Sequence, residues 1–552
     1  MQPKDSDGTE PDGSAARTHL RGGGLGLVGG LLVIAALAVA MVFGHGFDIQ
    51  TQARATAILV VAAFLSIPLL WRERGQFYLP LLAIGILVFG YFAVRALVSP
   101  VWDLARLDLN LIASGWICLL IVTAVANWRV ALGGLLAGVA LLVTANGVAA
   151  IGQSFVGERF VLWGTAPGLP ERSVGLFGHG NPMASFLSMG LPLLAGAVFS
   201  PVSRGLRILC ALALLPGFAA LVLSQSRGGT VAATFGFLVL AAGLILSNSG
   251  SWSRRLRWGS RVFVIFLVLA SVPVALTVVG RLSDQRGHGS QVDQVLSRSG
   301  RLDFMGIALE QWKDAPVFGG GSRSFSYEAI KRWDRENVGS WVGNAVMVHC
   351  DYLQVLSEYG VVGFLLISVF LLMAATRFPL GLLNPRRGPG VSGLEWGALG
   401  GLCGVALHSS FDFTLHVLPV AMMAGICLGL LMRRVDSPGR GAGRGILVVG
   451  SSLLAGLLLI STSLADWKTA PTFLRLEKDL TKGRFGSQQV PLSSELIARA
   501  PQYGVARMHG SYHLRRFQKS GYETHEDLRE AVNALEVAAA RHPYDPESLG
   551  NL

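Results

Sequence analysis

The sequence predicts an all-α fold, a polytopic membrane helical bundle of about thirteen spans carrying a small soluble helical tail, and three observations predict it. Apolar residues make up 51% and charged residues only 14%, and the mean hydropathy of +0.51 is too high for a string of soluble domains. Apolar runs long enough for roughly 30 Å of hydrocarbon recur over most of the chain. After about residue 465 the composition turns polar, with apolar residues at helical spacing. The formal charge of +12 does not point to nucleic acid, because the arginines punctuate the apolar runs instead of forming a basic face. Cys118, Cys210, Cys403 and Cys427 lie inside apolar runs and only Cys350 in a loop, so no disulfide framework or CxxC metal site is expected.

Residues 1–21 read as a disordered cytoplasmic N-terminus. Spans are expected near 22–43, 56–70, 77–94, 111–126, 130–149, 182–199, 207–223, 229–247, 262–280, 353–376, 392–408, 417–432 and 445–464. The first reads as an uncleaved anchor, because Met41, Val42 and Phe43 prolong the run past the cleavage-like Ala38-Val39-Ala40. The loops at 71–76, 127–129, 200–207, 248–261, 377–391 and 433–444 hold 16 Arg in 58 residues; the intervening short loops at 44–55, 95–110, 150–181, 224–228 and 409–416 hold 6 in 73. Arginine accumulates in cytoplasmic loops, so the first set is assigned to the cytoplasm and the C-terminal tail to the periplasm. Two outer segments, 150–181 and 281–352, exceed what a connector needs, and function is expected there. In the tail (465–552), Leu528, Ala531, Leu535 and Ala538 or Ala539 share one helix face, and Ile497, Val505, Met508, Tyr512 and Leu514 suggest two more helices. It reads as tetratricopeptide-like, with His542-Pro543-Tyr544-Asp545 resembling the start of a further repeat.

Candidate chemistry clusters at the outer turns. Arg172-Ser173-Val174-Gly175-Leu176-Phe177-Gly178-His179-Gly180-Asn181-Pro182 ends in a helix start, where Arg172 and backbone amides suit an anionic headgroup; the plain alternative is a Gly-rich turn with a snorkelling arginine. Ser224-Gln225-Ser226-Arg227-Gly228-Gly229 is so short that Arg227 must sit at the membrane boundary, where a guanidinium fork matches phosphate oxygens. The large loop opens with Arg298 and Arg301, continues as a helix with Leu302, Met305, Leu309 and Trp312 on one face, and turns at Pro316 through Gly319-Gly320-Gly321. Its nine basic and eight acidic residues between 281 and 350 nearly cancel, which fits a folded lid; Trp333 and Trp341 are candidates for stacking on sugar rings. His349, where the chain returns to the bilayer, can be neutral at working pH and take a proton from a hydroxyl. His408 and Asp412, ionisable groups in an apolar stretch, are expected to pair with His349 or an arginine.

The order Arg172, Gly175, Phe177, Asn181, then Ser226-Arg227-Gly228, then Arg301 with Trp312, Asp314, Pro316, Phe318, Gly319 and Gly321, then His349, Tyr352-Leu353-Gln354, Glu358, Gly360 and Gly363 resembles the bacterial O-antigen ligase and polymerase family. The likeness covers about residues 150–430. It implies a transferase of the bacterial inner membrane that takes a glycan from undecaprenyl diphosphate at the periplasmic face and passes it to a glycan, lipid A-core or protein hydroxyl. By motif, His349 matches the general base and Arg227 and Arg301 the arginines that hold the diphosphate, with Arg172 a further member; Asn181, Glu358, His408 and Asp412 are expected to support them. Cys350 stands where the family frequently has Asn. The resemblance implies inversion at the anomeric carbon. Arginines stabilise a departing diphosphate without metal, and Asp293, Asp303 and Asp314 lack metal-binding spacing, so no metal or cofactor is expected. Membrane lipid, and a protein bound through the tail, are the remaining expected partners. The rival readings are a carrier or flippase for lipid-linked sugars, against which stands the absence of an internal repeat, and a membrane-anchored interaction scaffold.

Overall fold

The computed structural model describes residues 13–43, 49–156, 172–246, 301–332, 347–382, 393–432, 441–481, 494–498 and 503–541. These are mostly helical, with no strand among them. The helices are α1 (Gly13–Phe43), α2 (Ile49–Leu65), α3 (Ile67–Arg72), α4 (Leu79–Leu97), α5 (Trp102–Val125), α6 (Arg129–Val156), α7 (Gly180–Val198), α8 (Arg204–Leu223) and α9 (Arg227–Leu246). After these come α10 (Arg301–Asp314), α11 (Phe325–Arg332), α12 (Asp351–Leu382), α13 (Gly393–His408), α14 (Leu418–Met432), α15 (Ala442–Thr481), α16 (Tyr503–Lys519) and α17 (His525–Arg541). Nine of the described helices are long and apolar enough to cross a membrane; apolar segments of α2 and α14 are shorter. The span expected at 262–280, together with Arg298, Trp333 and Trp341, lies outside the described residues. The run expected at 56–70 divides at Ser66, because Pro68 opens α3.

Helices α5 and α7 form the centre, each 89% buried over its apolar window. Small residues let α13 dock directly on α7 and α9. A side chain at Gly397 would sit 2.4 Å from the Pro192 carbonyl oxygen and one at Gly400 2.3 Å from that of Gly236. Hydrocarbon offers helices no hydrophobic drive to associate, so such backbone contact is how the bundle gains its van der Waals energy. The three helices make one block, and all three end or begin beside the turn that follows His408.

The arginine-rich turns gather at one end of the bundle: Asn127 donates to Glu73 at 3.2 Å, Arg444 to the Gly75 carbonyl at 3.2 Å, and Arg72 lies 4.8 Å over the Trp128 ring. At the other end the large loop lies on the bundle. Its helix α10 buries Phe304, Ile307, Ala308 and Gln311 against Phe325 and Val348, so Leu302 and Leu309 face outward. The buried face is therefore not the expected Leu302, Met305, Leu309 and Trp312 one; Gln311, bonded to Ser324 at 2.6 Å, turns the helix the other way.

Helix α12 is broken at Gly360 (φ 68°, ψ −173°), and residues 316–321 of the loop fill the break. The Val361 and Val362 amides donate to Pro316 and Val317, the Gly320 and Gly321 amides to Ser357 and Glu358, and the Tyr91 hydroxyl to Tyr359. Irregular backbone survives at membrane depth only when protein satisfies it in this way. Only glycine fits at 360, where a Cβ would lie 2.3 Å from the Val317 oxygen.

Helix α15 runs past the expected span end without interruption to Thr481, so span and tail share one helix. Its end packs through Phe473 and Leu476 on Val505 and Met508 of α16, and α17 adds Ala531, Ala534, Leu535 and Ala538. One hairpin does not establish a repeat. Arg106 ties α5 to Asp466 of α15 at 3.2 Å, and Asp103 bridges Arg106 to Arg541 of α17.

Candidate functional site

Four chain segments, far apart in sequence, meet at the end of the bundle that carries the large loop. The first is 172–181. Gln153, in the last turn of α6, accepts from the amides of Val174 (2.8 Å) and Gly175 (2.9 Å) and donates to the Gly175 carbonyl (2.9 Å). Asn146 accepts from Leu176 at 3.1 Å. Gly175, at φ +59° and 2.4 Å from Met183 Sδ were it to carry a Cβ, has no substitute in this strap. The strap delivers His179, whose Nδ1 accepts from the Asn181 amide at 3.2 Å and so caps α7.

The second segment is the turn 224–228. Ser226 accepts from the Gly229 amide at 3.2 Å, starting α9 at Arg227, whose side chain is exposed. The turn is joined to the first segment by the Ser173 amide, which donates to Leu223 at 3.1 Å. Gly180 packs between the Ser224 carbonyl and the Arg172 stem, and Gly228 lies directly on the His408 ring.

Asp412 is the hub of the other two. Its Oδ2 accepts from Asn181 at 2.6 Å and its Oδ1 from the Phe413 amide at 2.9 Å. His349 Nδ1 stands 3.4 Å from Oδ1, at the long end of hydrogen-bond range, and that buried nitrogen makes no closer bond among the described residues. His349 adopts φ +58°, uncommon for a residue with a side chain, which turns its ring between Phe413 (centroids 4.8 Å) and Phe304 (6.1 Å). Arg301 opens α10 and donates to the Phe411 carbonyl at 3.3 Å. His408 Nδ1 bonds Ser185 at 2.9 Å.

The electrostatics follow from this assembly. Burial would raise the Asp412 carboxyl, but the His349 contact and the neighbouring His408 and Arg301 overcome it and hold the group at about 2. Asp412 is therefore an anion at any working pH. Burial, then the Arg172 charge, pushes the His179 imidazole below its usual value, against the pull of Asp412.

The structure thus brings His349, Asp412, Asn181, Arg301 and Arg172 to one rim, with His408 beneath and Arg227 at the start of α9 on the same side. Glu358 is elsewhere. It is fully buried under the large loop, accepting from Gln354 at 3.0 Å and from the Phe325 amide at 3.3 Å. Its surroundings are the Asp108 cluster, where Ser322 and Tyr359 each donate at 2.7 Å and Arg323 forms a buried ion pair. Glu358 clamps the loop to α12 and does not join the rim; its carboxylate is held by Gln354 and the Phe325 amide.

Sequence reasoning passed over three residues. Asp351 accepts from Ser409 (2.7 Å), the Leu415 amide (3.1 Å) and His416 Nδ1 (2.7 Å), and so shapes the turn that presents Asp412. Burial works against the His416 charge, but Asp351 outweighs it and raises that imidazole. The signal was present: two more ionisable residues, Asp351 and His416, flank apolar runs. His179 is the third, a second histidine at the mouth of a helix. Among the described residues no group of three or more His, Cys, Asp or Glu has metal-holding geometry.

Residues 211–368 match the family described as O-Antigen ligase. The matched segment contains Arg227, Arg301 and His349; Arg172, His179, Asn181, His408 and Asp412 lie beyond its ends and reach the site through the fold. No curated protein matches the chain. The match supports a membrane glycosyltransferase type of function in O-antigen and lipopolysaccharide assembly, with a lipid-linked glycan donor and a glycan or lipid acceptor.

Proposed function

From the O-antigen ligase match as premise, we propose that this protein transfers a glycan from undecaprenyl diphosphate to an acceptor hydroxyl at the periplasmic face of the bacterial inner membrane. The observation that carries the reading is the approach of His349 Nδ1 to the Asp412 carboxylate at 3.4 Å, with Arg301 and Asn181 on the same turn. A carboxylate facing Nδ1 favours the tautomer with its proton there, which leaves the Nε2 lone pair as acceptor. His349 Nε2 takes the proton of the acceptor hydroxyl as that oxygen bonds to the anomeric carbon. The bond from that carbon to the diphosphate oxygen breaks, and undecaprenyl diphosphate departs with the electron pair. Asp412 stabilises the imidazolium that forms, as the carboxylate of a hydrolase triad does.

Arg301, Arg227 and Arg172 hold the diphosphate and meet its growing charge as it leaves. Attack opposite the leaving group inverts the anomeric centre, and the arginines make the step independent of metal. The positive-inside rule places the arginine-rich end in the cytoplasm and the rim in the periplasm. The test is reconstitution with an undecaprenyl-diphosphate oligosaccharide and a panel of acceptors. His349→Ala is expected to abolish turnover while donor binding persists, and Arg227→Ala to weaken donor binding. Full turnover by both variants would reject the site; loss of turnover in chelator, restored by one divalent ion, would reject the metal-free step.

A further inference from the structure

Beyond the arginines, the rim holds a second imidazole whose hydrogen-bonding character is fixed by the backbone. His179 Nδ1 accepts from the Asn181 amide at 3.2 Å, so its lone pair on that side is committed. A neutral imidazole has one lone pair and one N–H; with Nδ1 accepting, the proton sits on Nε2. Protonating Nδ1 would set an N–H against the Asn181 N–H and break the cap of α7. The surrounding protein and the Arg172 charge oppose protonation as well, with Asp412 pulling the other way.

The rim therefore has two unlike imidazoles. His349 faces a carboxylate and leaves a lone pair free, whereas His179 faces an amide and leaves a donor free. We propose that the Nε2–H of His179 donates to a phosphoryl oxygen of the donor's diphosphate, held in that tautomer by the Asn181 amide. The place suits such a ligand. The ring of His179 is crowded by protein on one side and opens to solvent on the other, it lies at the positive end of α7, and Arg172 and Arg301 are its charged neighbours. Whatever binds there must accept hydrogen bonds and carry negative charge. A neutral donor adds a directional bond to the arginine charges without further charge repulsion. The inference rests on the diphosphate reading above and adds to it a residue outside the matched segment.

The experiment uses the full chain in lipid nanodiscs with farnesyl diphosphate as probe and farnesol as the uncharged control. His179→Asn keeps a capping side chain but is too short to reach the ligand, and its thermal unfolding is followed alongside. Farnesyl diphosphate is expected to bind His179→Asn roughly tenfold more weakly than the original protein, with farnesol unchanged. His179→Gln, with an amide N–H at similar reach, is expected to recover part of the loss. The ratio between original and His179→Asn is expected to stay constant from about pH 6 to 8, because a fixed neutral donor does not titrate there. Equal diphosphate binding by both proteins would overturn the assignment while leaving the diphosphate reading intact. A ratio that falls toward one as pH rises would overturn it in favour of an imidazolium. If the original protein prefers diphosphate no more than farnesol, both readings fall.

Discussion

The rim and the cluster beneath the large loop are built from the same residue types and behave as opposites. Under the loop, Asp108 is saturated by Arg323, Ser322 and Tyr359, all buried. At the rim, Asp412 is fixed by Asn181 and one amide, its histidine stands off at 3.4 Å, and the nearby Arg227 is exposed. Such pairing spends the Asp108 carboxylate and the Arg323 charge on the fold. Incomplete pairing leaves a lone pair and guanidinium groups for a substrate. Residue type alone does not separate the two, which is why Glu358 was grouped with the rim by sequence and stands with the cluster in space.

The largest effect is expected where this contrast is sharpest. Asp412→Asn should lower turnover by roughly 10²- to 10⁴-fold, by losing the carboxylate that orients and stabilises His349, with little change in melting temperature. Single-turnover assays and thermal unfolding on one preparation check it; a large loss of stability with turnover retained would merge the two regions. Arg323→Met should do the reverse. Removing one partner of a buried pair strands Asp108 and costs about 3–5 kcal/mol of stability, read as a lower midpoint of unfolding. Glu358→Gln keeps the shape and is expected to cost less, about 1–2 kcal/mol, from hydrogen bonds weakened when the carboxyl becomes an amide. A drop in turnover larger than its stability loss would return Glu358 to the rim.

The smallest effect concerns pH. His416 is raised by Asp351, so its contribution to stability is fully present below the unfolded value of about 6.5 and is lost as pH rises through the higher folded value. Hydrogen exchange of residues 409–416 is therefore expected to quicken more steeply with alkaline pH than base catalysis of exchange alone predicts. The excess should vanish in His416→Gln.

Much of the bundle was legible, since apolar runs locate spans without knowledge of neighbours. Nine expected spans coincide with described helices long and apolar enough to cross a membrane; the runs at 56–70, 392–408 and 417–432 fall on shorter helices. The placing of His349, Arg227, Arg301 and Arg172 at chain turns was legible because charge beside apolar runs is conspicuous in a greasy chain. The pairing was not. Asp412 meeting His349 depends on α13 lying against α7 and α9, which rests on the spacing of glycines that carry no chemistry of their own. The break in α12 was hidden as well: Gly360 reads as one more glycine in an apolar run, and only the backbone of 316–321 shows what it admits. The buried face of α10 went astray for a related reason, because Gln311 is buried through partners 13 and 46 residues away.

That inserted segment sets a rule for anyone exchanging outer loops between relatives to alter acceptor choice. Residues 316–321 and 357–362 are two halves of one joint, and a graft that carries the first without the second would leave bare amides facing lipid. Transplants should take their seams upstream of Pro316 and downstream of Gly363, so that lock and key travel together.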